Sequence, residues 1–266
     1  GGKPVYLVEK HATERIPSAL MLRSSPAPTN NGPFLGVADG IYNVADPRWK
    51  PASSTARFLG IPVPGRKRPA VELARLVGSS QEIRACARIW QGSQPPMLLT
   101  GSQASRAAFQ SDLRNRPAVI HLAAHVLSGR TTKDALIDFG LSPEGQPEVL
   151  SYTDVANLDV HGATVVVNGC SSAEGRAKFG AGAMGLTRAW LMAGAQTVVG
   201  TRWPIPDDTG DLFQSFYSNW RASRATAPAN RIVAQSLQQA QLAALHGNTW
   251  RSNPKYWSAF YVFGKE

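Results

Sequence analysis

Two short apolar runs carry the side chains with the most chemistry. Ala118-Val119-Ile120-His121-Leu122-Ala123-Ala124-His125 ends on an imidazole, and Thr164-Val165-Val166-Val167-Asn168-Gly169-Cys170 ends on a thiol. Their β-branched residues, and Pro117 before the first, favour strands. In open parallel α/β sheets ligands bind at the carboxyl ends of strands, so His125 and Cys170 are expected at one sheet edge. An imidazole beside a thiol lowers its pKa, creates the thiolate nucleophile, and can then protonate a leaving amine. On this chemistry alone, a Cys-His dyad stands against two unrelated structural residues. His121 and His125 are four apart, one turn on a helix and close enough to share a metal. On a strand the same spacing spans about 13 Å, at roughly 3.3 Å per residue, too far for one ion. No metal site is therefore expected, and His121, inside its run, reads as a satisfied core histidine.

Other motifs carry less. Gly180-Ala181-Gly182-Ala183-Met184-Gly185 fits a dinucleotide-binding pattern. The true fingerprint starts directly after a strand, whereas here a polar stretch from Ser171 to Lys178 intervenes. Glycines that let a helix pack closely on a sheet explain it as well, and no cofactor is implied. The absence of a Gly-x-Ser-x-Gly elbow argues against a serine hydrolase. Cys86 reads as a buried structural thiol, and His11, His161 and His246 have no partner pattern.

The elements that must hold these tips follow from periodicity. Val5 to Val8 and Phe34 to Val37 read as strands, Ser24 to Pro33 and Asn43 to Pro64 as irregular. A helix is expected over Ala70 to Arg88, with a break at Gly78-Ser79-Ser80. Then come a strand at Met97 to Thr100, a helix at Ser102 to Leu113, and the His-bearing strand. Val126 to Asp134 reads as a polar loop, Leu136 to Leu141 as an edge strand, and Tyr152 to Leu158 as a short helix capped by Ser151. Beyond the Cys-bearing strand lie a helix over 180–193, a strand at Gln196 to Gly200, and a helix from Pro206-Asp207-Asp208 to Trp220. The acidic residues at that last helix's start suit its macrodipole. A helix over Asn230 to Leu245 and a strand over Trp257 to Phe263 close the chain. Strands alternating with helices of this length predict a mostly parallel central sheet with helices on both faces.

At 266 residues the chain is long enough for one large domain or two modest ones. Its 43% hydrophobic and 17% charged residues suit a folded soluble protein, and no apolar run approaches a membrane span. Two cysteines give no disulfide framework, so a reducing, cytoplasmic location is expected. The opening Gly1-Gly2 without Met reads as an expression scar or a fragment start. Net charge is +10, with 13 Lys/Arg against 6 Asp/Glu in residues 1–100 and Arg66-Lys67-Arg68 as the densest spot. Without aromatic interleaving or a nucleic-acid module, this reads as a solvated basic face rather than a polyanion site, and direct nucleic-acid binding is not expected.

At the two strand tips the sequence resembles the CHAT domains of the caspase-like (clan CD) cysteine peptidases. His-Leu-Ala-Ala-His at 121–125 is similar to that family's His-Leu-Ala-Thr-His strand, and Val-Val-Val-Asn-Gly-Cys-Ser-Ser at 165–172 to its nucleophile strand. The stretches 182–195, 198–205 and 256–260, and earlier 17–20 and 63–68, follow in the same order. The resemblance implies a caspase-like fold, with residues 1–95 as a pseudo-caspase-like or accessory portion and 96–266 as the catalytic core of one continuous unit. It implies a cysteine endopeptidase with Cys170 as nucleophile and His125 as general acid/base. The oxyanion hole would use the N–H groups of Cys170 and of the residue after the His, here Val126 where relatives commonly have Gly. Valine resists φ > 0 and crowds the pocket.

By analogy with caspase-like relatives, Asn168 lines the pocket for the side chain before the cut, and its neutral amide speaks against a strictly basic preference. Trp203 walls a pocket and Arg202 attracts an acidic substrate residue. The expected partner is a protein substrate, with an upstream repeat or sensor region providing regulation. The alternative is a catalytically weak or inactive CHAT scaffold that binds partners.

Overall fold

The computed structural model describes residues 5–16, 31–51, 73–92, 94–127, 135–169, 181–207, 210–224 and 229–264. Cys170, Arg66-Lys67-Arg68, the Gly180 end of the glycine-rich motif and the stretches 17–20 and 63–68 lie outside them. The strands are β1 (Glu14–Arg15), β2 (Phe34–Gly40), β3 (Met97–Gly101), β4 (Val119–Ala123), β5 (His125–Leu127), β6 (Leu136–Leu141), β7 (Pro147–Ser151), β8 (Thr164–Val167), β9 (Thr197–Thr201) and β10 (Phe260–Gly264). The helices are α1 (Val77–Trp90), α2 (Arg106–Asp112), α3 (Tyr152–Ala156), α4 (Ala181–Met192), α5 (Gly210–Ser223), α6 (Ala229–Leu245) and α7 (Pro254–Trp257).

Among the described residues, seven strands form one sheet in the order β1-β10-β9-β8-β4-β2-β3, and β5-β6-β7 form a second. From β9 through β3 the neighbours are parallel, while β10 runs antiparallel to β9. Alternation along the strands sorts the core into two layers. Ile120, Leu122, Val165 and Val198 pack with Phe109 of α2, Val155 of α3 and Trp190 of α4. Val119, Val166 and Val199 pack with Trp90 of α1, Phe213 and Tyr217 of α5 and Leu237 of α6. Helices thus cover both faces, as the alternation of elements predicts.

The chain leaves β2 outward through α1 to β3, then returns past β2 to place β4 on its other side. That reversal is the switch point where open α/β sheets leave a crevice at their carboxyl ends. Residues 34–40 therefore sit in the middle of the sheet, between β3 and β4.

Several local expectations are corrected. Val5 to Val8 is not a strand; Leu7–Glu9 forms a 3-10 turn. The helix expected from Ala70 begins only at Val77, with Gly78-Ser79-Ser80 as its first turn rather than a break. Asp207 explains this, because its Oδ2 accepts the Gly78 N–H at 2.8 Å. Asp207 thereby caps α1 across the molecule, and α5 starts later, at Gly210. Leu136–Leu141 is no edge strand but the middle of the second sheet, and the first residues of the expected polar loop are its neighbour β5. The Ser151 cap is confirmed as a capping box with Asp154, and α3 ends at Ala156.

Candidate functional site

His125 stands at the switch point. β4 ends at Ala123, Ala124 bends the chain, and His125 opens β5, which pairs in register with β6 (His125 with Asp138, Val126 with Ile137). The imidazole is buried at 1% exposure. Its Nε2 lies 2.7 Å from the carbonyl oxygen of Ala74. A carbonyl only accepts, so Nε2 carries a proton and Nδ1 is the basic nitrogen of the neutral ring. The Tyr42 ring packs edge-on at 4.6 Å, and its hydroxyl takes hydrogen bonds from the backbone of Gly40 and His125. Burial lowers the His125 pKa and the Ala74 carbonyl partly opposes this, so the ring is a neutral base at pH 7.

The tip of β8 comes to the same place. Asn168 N–H donates to Leu122 O at 2.8 Å, and Thr201 Oγ1 donates to Gly169 O at 3.3 Å. A Cβ built on Gly169 would lie 2.4 Å from Val126 Cγ2 and 2.7 Å from Ala124 O. Glycine is thus required for this close approach, and Gly169, the chain neighbour of Cys170, packs against both residues that flank His125. Val126 is extended within β5 rather than at φ > 0, and the missing side chain of Gly169 makes the room its own side chain needs.

Beneath the tip runs a buried polar chain. Asn168 Nδ2 donates to both carboxylate oxygens of Glu82, at 2.8 and 2.9 Å. Glu82 Oε1 lies 2.9 Å from His121 Nε2, and His121 Nδ1 meets the Tyr217 hydroxyl at 3.1 Å. His121 is thus the satisfied core histidine expected, and the two histidines face separate partners. Asn168 turns its amide nitrogen inward to this chain. Arg202 and Trp203 follow β9, next to the tip, but are engaged on the β10 side. The Arg202 guanidinium lies over the Tyr261 ring at 5.5 Å, and Trp203 Nε1 donates to Lys255 O at 2.8 Å. The structure brings His125, Val126 and Asn168 together and leaves these two facing elsewhere.

Sequence reasoning missed Glu82, Tyr217, Asp39, Tyr42 and Asp138. One signal was present: Ser79, Glu82, Ile83, Cys86 and Trp90 form a helical stripe, and a carboxylate inside an apolar stripe needs buried partners. Cys86 is buried as expected, and burial pushes its thiol well up.

Asp138, across from His125, is a buried carboxyl whose pKa is raised to about 6, mainly by desolvation. Its unfolded-state pKa is lower, so between roughly pH 4 and 6 the folded protein holds the extra proton, and stability falls as pH rises. Asp138→Asn keeps an oxygen for the Gly140 N–H that Oδ1 accepts at 2.7 Å. Denaturant unfolding is expected to show the variant more stable by up to about 3 kcal/mol at pH 8 and equal near pH 4. A difference independent of pH would contradict the assignment.

This sheet order, with an imidazole at the switch point and a glycine-tipped neighbouring strand, is the caspase-like arrangement of cysteine peptidases. The fold matches the crystal structure of the Arg-specific cysteine proteinase gingipain R with a TM-score of 0.50 and 8% identity, over 90% of this chain and 48% of that one. The chain belongs to the CHAT domain family, whose model matches residues 2–265. It is 25% identical over 289 aligned positions to human (Homo sapiens) Tetratricopeptide repeat protein 28, covering 98% of this chain and 11% of that protein. With the mouse (Mus musculus) protein of the same name it shares 29% identity over 123 positions, 44% of this chain and 4% of that one. The chain thus spans about a tenth or less of the length of these curated relatives. No helix among the described residues is long and apolar enough to cross a membrane.

Proposed function

We propose that this CHAT domain is a cysteine endopeptidase in which His125 activates Cys170 against a peptide carbonyl. The packing of Gly169 against Ala124 and Val126 carries the reading, because it sets the residue before the thiol beside the imidazole. Nδ1 of His125 takes the thiol proton, the thiolate attacks the carbonyl carbon, and the same nitrogen returns the proton to the leaving amine. The N–H groups of Cys170 and Val126 receive the developing oxyanion. Asn168 lines the pocket for the residue before the cut, and its neutral amide, committed to Glu82, disfavours a strictly basic preference. Arg202 and Trp203 extend the cleft along β9. The substrate is a protein in the cytoplasm, and a repeat region like that named in the curated relatives is the regulating partner.

The test is a proteome-derived peptide library with and without iodoacetamide, read as new N-termini by mass spectrometry. Cys86, buried and with a raised pKa, resists alkylation, so the reagent reports on Cys170. Cleavage lost on modification of Cys170 supports the reading; cleavage unaffected by it overturns the dyad. Cuts chiefly after Arg or Lys would overturn the pocket assignment. No cleavage at all would favour the second reading, a partner-binding CHAT scaffold, for which Val126 in place of glycine is the specific observation.

A further inference from the structure

Residues Leu73 to Leu76 lead into α1 without regular structure, and Ala74 and Arg75 are exposed. Such a strap has little to hold its backbone in one place, yet its Ala74 carbonyl meets His125 Nε2 at 2.7 Å. Two contacts fix it, and both come from Asp39. The carboxylate takes the planar fork of Arg75, Nε to Oδ1 at 2.8 Å and Nη2 to Oδ2 at 2.8 Å. The Asp39 N–H donates to Ser79 Oγ at 3.0 Å, and that hydroxyl donates to Leu76 O at 2.7 Å. Asp39 itself is immobilised. It is buried at the end of the central strand, with φ of +48°, a conformation that costs a non-glycine residue and so needs support. Arg48, braced by Asp46, supplies some of it by donating to Asp39 Oδ2 at 2.9 Å.

We propose that Asp39 is a positioning residue which, through its bidentate pair with Arg75, holds the Ala74 carbonyl against His125 and so fixes the orientation of that ring. The proposal rests on His125 being the general acid/base. An exposed arginine pair is ordinarily weak, but the fork geometry and the buried acceptor make this one directional. A lysine could supply charge but not the two parallel bonds. With Arg75 removed, the strap loses the contact nearest the carbonyl, and the ring loses the acceptor that selects its Nε2 proton.

The other titratable groups facing the ring are Tyr42 beyond β2 and Asp138 on β6, and neither is altered in the test. Arg75→Ala and Arg75→Lys are compared with the full chain, using histidine labelled with ¹⁵N. Exposure of Arg75 lets the alanine variant fold, which circular dichroism verifies. Because the carbonyl favours the protonated ring, Arg75→Ala is expected to lower the His125 titration midpoint by roughly half a pH unit. It is also expected to lower kcat about 10- to 100-fold with KM within about twofold, as loss of orientation does. Arg75→Lys should fall between. An unchanged His125 midpoint in a folded Arg75→Ala overturns the proposal. If the wild type cleaves no peptide, the peptidase reading falls while the titration still decides the clamp.

Discussion

Cys170→Ala and His125→Ala are each expected to reduce kcat/KM on the best library peptide by at least about 10³-fold, with the double variant little worse than either. Non-additivity is the informative part. A nucleophile and its base act in one step, so removing either forfeits the function of both. Cys170→Ala should leave the unfolding midpoint nearly unchanged. His125→Ala should cost stability as well, because it leaves the Ala74 carbonyl without its donor and a void beside Tyr42. Single-variant losses that multiply in the double variant would show that the two residues serve separate steps.

Glu82→Ala is expected to destabilise the fold by about 3–5 kcal/mol, because it removes the acceptor of a buried chain and leaves its donors facing a cavity. Asn168 Nδ2 and His121 Nε2 would both lose their shared carboxylate. For a chain of this size that corresponds to a drop in Tm of roughly 10 °C. Glu82→Gln keeps the shape and one acceptor oxygen, and should cost only about 1–2 kcal/mol. The pair of variants separates loss of charge from loss of packing in thermal unfolding. A Glu82→Ala protein within about 1 kcal/mol of wild type would show that the chain is solvated or readily replaced. Because Asn168 lies two residues before the thiol, the same substitution should lower turnover at temperatures where the protein remains folded.

The strands of the site were legible because their burial writes itself into composition. β4 and β8 are enclosed on both faces, so they read as continuous β-branched and aliphatic runs, and His121 stood out as polar inside one. Ser151 was legible because its hydroxyl and Asp154 are three residues apart, a local device. What failed depends on partners distant in sequence. Leu73, Ala74 and Leu76 have helical character, but Arg75 is drawn to Asp39 and the helix waits for its cap from Asp207. Three residues of β5 become a strand only because β6 lies alongside. The accommodation of Val126 by Gly169 was equally hidden, since nothing in either residue alone announces the other.

The central place of β2 has a consequence for synthesis. Residues 34–40 leave the ribosome early, but β4, their inner neighbour, follows roughly eighty residues later. At about 5–20 residues per second, the nascent strand waits on the order of 4–16 s with that side unpaired. Its residues are apolar and destined for full burial, so during this interval the chain carries its most adhesive segment in the open. The strand that later supports the site is thus the one most dependent on being shielded while the rest of the sheet is made.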